Sequence, residues 1–173
     1  MLKKSFKILI IIIFSLFQIS FINILFFPFN LLNLILGFMI FISLINYIDG
    51  LYFLIISSLI LELYSPYSFG FLFFVYCATF LIIVWLSLNF LTNKSLYSFF
   101  VIALIGILIY NLIFYMANNI LFFINSSDFF ITFDSYFVSR FGYKVFINLF
   151  FLTGAFLFYK LASRKMKTVF LVK

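Results

Sequence analysis

From Ile8 to Ser127 the chain carries only three charged side chains, Asp49, Glu62 and Lys94. A soluble domain has about 25% charged residues, because its surface must face water. Here 9% are charged and 68% apolar, and mean hydropathy is +1.34. Such a chain cannot dress a water-facing surface, whereas a lipid-facing surface needs no charge. The sequence therefore predicts an all-α, polytopic membrane protein.

Each crossing helix needs about 20 residues, so six crossings with short connections nearly use up 173 residues. The expected architecture is a six-helix transmembrane bundle forming a single transmembrane domain over 1–173. Its spans fall at about 8–27, 31–47, 51–64, 71–91, 96–116 and 142–161. Pro28, lacking a backbone N–H, ends the first run. Asn30 is a candidate cap for the second, and Asp49-Gly50 reads as a turn. The third run is short for a crossing. Ser65-Pro66 and Gly70 break the chain before the fourth, Thr92-Asn93-Lys94 ends it, and Asn118-Asn119 ends the fifth. An aromatic-rich stretch at about 118–140 reads as an external segment lying at the membrane interface. The start of the chain has the look of a signal sequence, but its apolar run exceeds the ~7–15 residues of a signal core. It is expected to stay as the first span.

Orientation follows from the cations. With both termini in the cytoplasm, Lys3, Lys4, Lys7, Lys94, Lys160, Arg164, Lys165, Lys167 and Lys173 lie inside, and Arg140 and Lys144 outside. That bias satisfies the positive-inside rule. Were the third run not to cross, most of the positive charge would lie outside, so the charge pattern favours six crossings. The net charge of +7 is thus a membrane-flanking charge. Basic residues are not interleaved with aromatics as single-stranded nucleic-acid binding requires, and no nucleic-acid partner is expected.

One cysteine, Cys77, cannot form an internal disulfide, and the absence of histidine removes the commonest metal ligand and general base. Ser57-Ser58 has no base near it in the chain to activate a nucleophile. The expectation is a non-enzyme with no catalytic residue, no metal and no cofactor.

Glu62 is the most informative polar residue. A carboxylate near the apolar zone is costly, so it reads either as a cation, proton or partner site, or as a carboxylate at headgroup level, solvated or bonded to nearby Ser and Tyr hydroxyls. Asp49 lies 13 positions earlier, too far along one helix to share a site with it. Asp128, Asp134, Arg140 and Lys144 form either an external docking surface or a solvated loop. Asn33, Asn46, Asn111 and Asn148 read as amides that bond between helices. Gly37, Ser43, Ser57, Ser58, Gly106, Gly154 and Ala155 allow helices to approach closely.

The order of basic start, Pro, apolar run, short third helix, acid, Ser-Pro and Gly resembles the MreD family of rod-shape-determining membrane proteins. The residues that carry the resemblance are Glu62-Leu-Tyr-Ser65-Pro66-Tyr-Ser-Phe-Gly70, with Tyr76 following. The spacing Pro-x-x-x-Gly and a Glu in place of Asp depart from the family pattern. The resemblance implies a non-enzymatic scaffold of the peptidoglycan elongation machinery in the bacterial inner membrane. Its implied partners are MreC, a single-span protein, and through it the RodA glycosyltransferase and its transpeptidase. It marks Glu62, Ser65, Pro66, Gly70 and Tyr76 as partner- or ligand-binding. MreD-type proteins also look similar in fold to the substrate-binding subunits of energy-coupling-factor (ECF) vitamin transporters, which gives the alternative function. A scaffold predicts no enclosed polar cavity; a transporter subunit needs one with convergent polar groups.

Overall fold

A computed structural model describes residues 2–89, 96–124 and 134–170. These hold six α-helices: α1 Leu2–Ser20, α2 Leu34–Ile45, α3 Tyr47–Leu63, α4 Phe71–Asn89, α5 Leu96–Phe123 and α6 Ser135–Phe170. Among the described residues there is no strand. Four of the helices, α1, α4, α5 and α6, are long and apolar enough to cross a membrane. The chain is an α-helical membrane protein. Lys94 and Asp128, which figured in the sequence reading, lie outside the described residues, as does 125–133 of the expected interfacial segment.

Side-chain pairs fix which helix ends lie together. Lys7, early in α1, bonds Asp49, early in α3, at 2.9 Å. Phe99, early in α5, stacks on Phe156 of α6, and Phe41, late in α2, meets both Phe99 and Tyr159 edge-on. At the opposite end, Gln18 of α1 accepts from Leu34 N of α2, and Glu62 of α3 accepts from Phe73 N of α4. Consecutive helices therefore alternate in direction.

The central helix is α2, which packs against each of the other five. Leu34, Ile35, Leu36, Gly37, Met39, Ile40 and Ser43 are buried along its 12 residues. A helix apolar all round belongs inside other helices, and α2 sits there. At about 1.5 Å per residue it is only ~18 Å long. It starts at Leu34, later than the expected 31, because Asn33 and not Asn30 is its cap: Asn33 Oδ1 accepts from Leu36 N.

The α2–α3 boundary corrects the expected turn. Asn46 ends α2 and caps α3, its Oδ1 accepting from Ile48 N. Asp49 is in the first turn of α3, where a carboxylate faces the positive end of the helix dipole. Gly50 makes no turn. A Cβ built on it would stand 2.8 Å from Ser43 Cα, so the glycine lets α3 lie directly on α2. With 17 residues α3 reaches ~25 Å, longer than the expected run over 51–64.

Three other boundaries differ. The helix in the expected first span, 8–27, stops at Ser20, before Pro28, where Gln18 Nε2 donates to Asn23 Oδ1 and Leu32 O. Asn118-Asn119 does not end α5, which runs on to Phe123. Asn118 is fully buried, and an interior Asn costs only a few tenths of a kcal/mol more than most residues. The last helix begins at Ser135, not 142, because Asp134 Oδ1 accepts from Phe137 N at 2.7 Å, an N-cap bond. The described ends of the 118–140 segment are thus largely helical.

Candidate polar recess

The N-terminus of α2 lies at the level of Tyr76 and Asn148, several residues inside the ends of α4 and α6, and a recess opens there. Backbone groups at a helix end inside the bundle need partners. Side-chain amides supply them. Asn148 of α6 accepts from Asn33 N at 2.8 Å and donates to Leu31 O at 3.0 Å. Gln18 Oε1 accepts from Leu34 N at 2.8 Å. The Tyr76 hydroxyl sits against the Asn33 amide, 2.8 Å from Nδ2 and 3.0 Å from Oδ1. Four helices are thereby tied at one level.

The recess has a volume of about 230 Å³ and is partly open. Its polar lining is Gln18, Asn23, Asn30, Asn33, Tyr76, Tyr110 and Lys144. Tyr76 and Tyr110 pack ring to ring at 5.1 Å. The Lys144 ammonium lies 5.5 Å from the Tyr110 ring centre and 5.7 Å from that of Phe114. Such cation–π contacts hold a lysine head but do not neutralise it. The Asn30 Oδ1 is buried with no hydrogen-bond partner.

The α3–α4 corner stands beside the recess. Glu62 is buried within the protein and bonds a backbone amide, not the Ser or Tyr hydroxyls expected of it in the second of its two readings. Its Oε1 accepts from Phe73 N at 3.0 Å, and Oε2 is buried without a partner. The reason is local. Gly70 precedes α4 with φ +96°, a left-handed conformation that glycine adopts freely, and it has no side chain with which to cap the helix. Glu62 supplies the missing acceptor from across the corner, at the positive end of the α4 dipole. Ser65 Oγ accepts from Tyr67 N, closing the turn around Pro66. Tyr67 packs on Phe71 and Phe114, and burial pushes its phenol above the usual range.

Of the five residues singled out from the sequence, Tyr76 alone lines the recess; Glu62, Ser65, Pro66 and Gly70 build the adjoining corner. Asn33 and Asn148 do bond between helices, as read, whereas Asn46 is a cap and Asn111 bonds back to Ile107 O of its own helix. Gln18, Asn30, Tyr110 and Lys144 were not recognised as one site. Their shared signal is a polar group inside an apolar run. Among the described residues no group of three or more His, Cys, Asp or Glu could hold a metal. Chemically the recess can bind and orient a polar group. No family model, curated protein or solved structure matches the chain.

Proposed function

We propose that this protein is a non-enzymatic scaffold of the bacterial cell-shape and peptidoglycan elongation machinery, resembling MreD, in the cytoplasmic membrane. In this reading all six helices cross, both termini are cytoplasmic, and the recess opens to the outside. Alternating helix directions support the threading, and the amide-satisfied end of α2 explains how a short helix is accommodated.

The observation that carries the scaffold reading is the outer face of α6. Only 11% of its apolar stretch Ser135–Leu161 is buried, against 39% for Tyr97–Phe123 of α5. Phe146, Phe150, Gly154 and Phe158 recur every fourth residue on that exposed face. Nothing lies within 4 Å of a Cβ built on Gly154. A small residue between large ones gives a second transmembrane helix a notch for close packing. An MreC-like single-span protein is the fitting partner, and the elongation synthases follow through it.

The test is capture of the MreC-like protein by the tagged chain, together with cell shape on depletion. Gly154→Trp fills open space, so the variant is expected to fold yet lose capture and round the cells. Unchanged capture and unchanged shape would sink the reading.

A second reading, a substrate-binding membrane subunit of an ECF-type small-molecule transporter, draws on the recess. Its volume lies below the ~300–1,000 Å³ of pockets that enclose drug-sized ligands, which favours the scaffold.

A further inference from the structure

The recess contains a cation, Lys144, that has no ion-pair partner among the described residues. Four acids exist in the chain. Asp49 pairs with Lys7 at the far end of the bundle. Glu62, in the adjoining corner, gives Oε1 to Phe73 N and keeps Oε2 buried without a partner, and Asp134 gives Oδ1 to Phe137 N. Asp128 lies outside the described residues. Among the described residues no carboxylate comes within ion-pair distance of Lys144. An ammonium held in a recess among apolar helices favours a counter-charge. The N-terminal end of α2 faces the same recess and adds partial positive charge. Its first N–H groups are already held by Asn148 and Gln18, so it contributes field and not hydrogen bonds.

Asn30, which also lines the recess, has its Oδ1 buried and unpartnered. A buried acceptor without a donor costs about 1–3 kcal/mol, and a ligand that donates there removes the cost. The two needs are complementary: an anion for Lys144 and a hydrogen-bond donor for Asn30.

We propose that the recess between the N-terminus of α2 and Lys144 binds a phosphate- or carboxylate-bearing group that also carries a hydroxyl or amine donor. A volume of about 230 Å³ suits a headgroup-sized moiety such as a glycerol phosphate. The source is either a lipid headgroup entering from the bilayer or a free small anion. The proposal is independent of the scaffold reading and deepens the transporter one.

The full chain is purified in detergent, and its thermal unfolding midpoint is followed with glycerol 3-phosphate against sodium chloride at equal ionic strength. A parallel arm compares vesicles of phosphatidylcholine alone with vesicles containing phosphatidylglycerol. A rise of several degrees with glycerol 3-phosphate assigns a free anion. A rise confined to phosphatidylglycerol vesicles assigns a lipid. In either case Lys144→Gln loses the rise, Lys144→Arg keeps it, and Lys7→Gln, at the far end, keeps it. Phosphorus NMR of glycerol 3-phosphate, or of the vesicle lipid, gives a second readout on the unsubstituted protein through line broadening. No rise and no broadening in either arm overturns the proposal, as does an equal rise in Lys144→Gln. Neither result touches the scaffold reading, which stands or falls on partner capture.

Discussion

Replacing Gly50 by Ala tests the packing of the bundle at its closest point. The new Cβ would stand 2.8 Å from Ser43 Cα and 3.0 Å from both Ser43 N and Cβ. These are backbone atoms and a Cβ in the last turn of α2, so no rotamer change relieves the clash. The two helices must separate by about an ångström, and α2 touches every other helix. Overpacking of this kind costs about 1–3 kcal/mol. Against it stands the helix-propensity gain of Ala over Gly, about 1 kcal/mol. Gly142→Ala provides the reference, because Gly142 lies within α6 with nothing within 4 Å of its Cβ position. The propensity term is then common to both variants, and their difference isolates the steric cost. Unfolding by sodium dodecyl sulfate, followed by circular dichroism on protein in mild detergent, should place Gly50→Ala about 1–3 kcal/mol below Gly142→Ala. Equal stability of the two variants would refute the close α2–α3 approach.

Glu62→Ala removes the acceptor for Phe73 N and should cost about 0.5–2 kcal/mol, the usual range for a lost cap. Glu62→Gln keeps an acceptor and should cost less, so the same unfolding assay ranks the native chain first, Gln second and Ala last. Asn148→Leu strips partners from Asn33 N and Leu31 O at once. Each buried group left unpaired costs about 1–3 kcal/mol, and amide exchange at Asn33 should quicken. Lys7→Met breaks an ion pair whose side chains are 61% and 38% exposed. It should change stability by less than about 1 kcal/mol, with the small effect shrinking as salt is raised.

Much of this architecture is legible in the sequence, because a scarcity of charge spread over long runs admits little besides helices in lipid. The break from Ser65 to Gly70 is also plain, since Pro and Gly act on the local backbone. What the sequence hides are positions where one residue type serves two ends. Asp-Gly is a common turn pair, yet Gly50 is there for Ser43 to approach, a demand set by a neighbouring helix. Asn118-Asn119 has the composition of a helix end, but burial in the bundle outweighs a weak local preference. Glu62 stood out from its chemistry alone, while its role depended on Gly70 lacking a side chain at the start of α4. The recess was least legible of all. Gln18, Asn30, Tyr110 and Lys144 sit on different elements, and only the packing of the bundle brings them round one space.

Six crossings with both termini inside require α3 to pass from one side of the bilayer to the other. With Cys77 replaced by Ala, single cysteines at Tyr47 and Tyr64, both exposed and at opposite ends of α3, can be probed with a membrane-impermeant maleimide. Tyr64→Cys should label in intact cells, and Tyr47→Cys only after the membrane is opened. Labelling of both from the same side would contradict the threading.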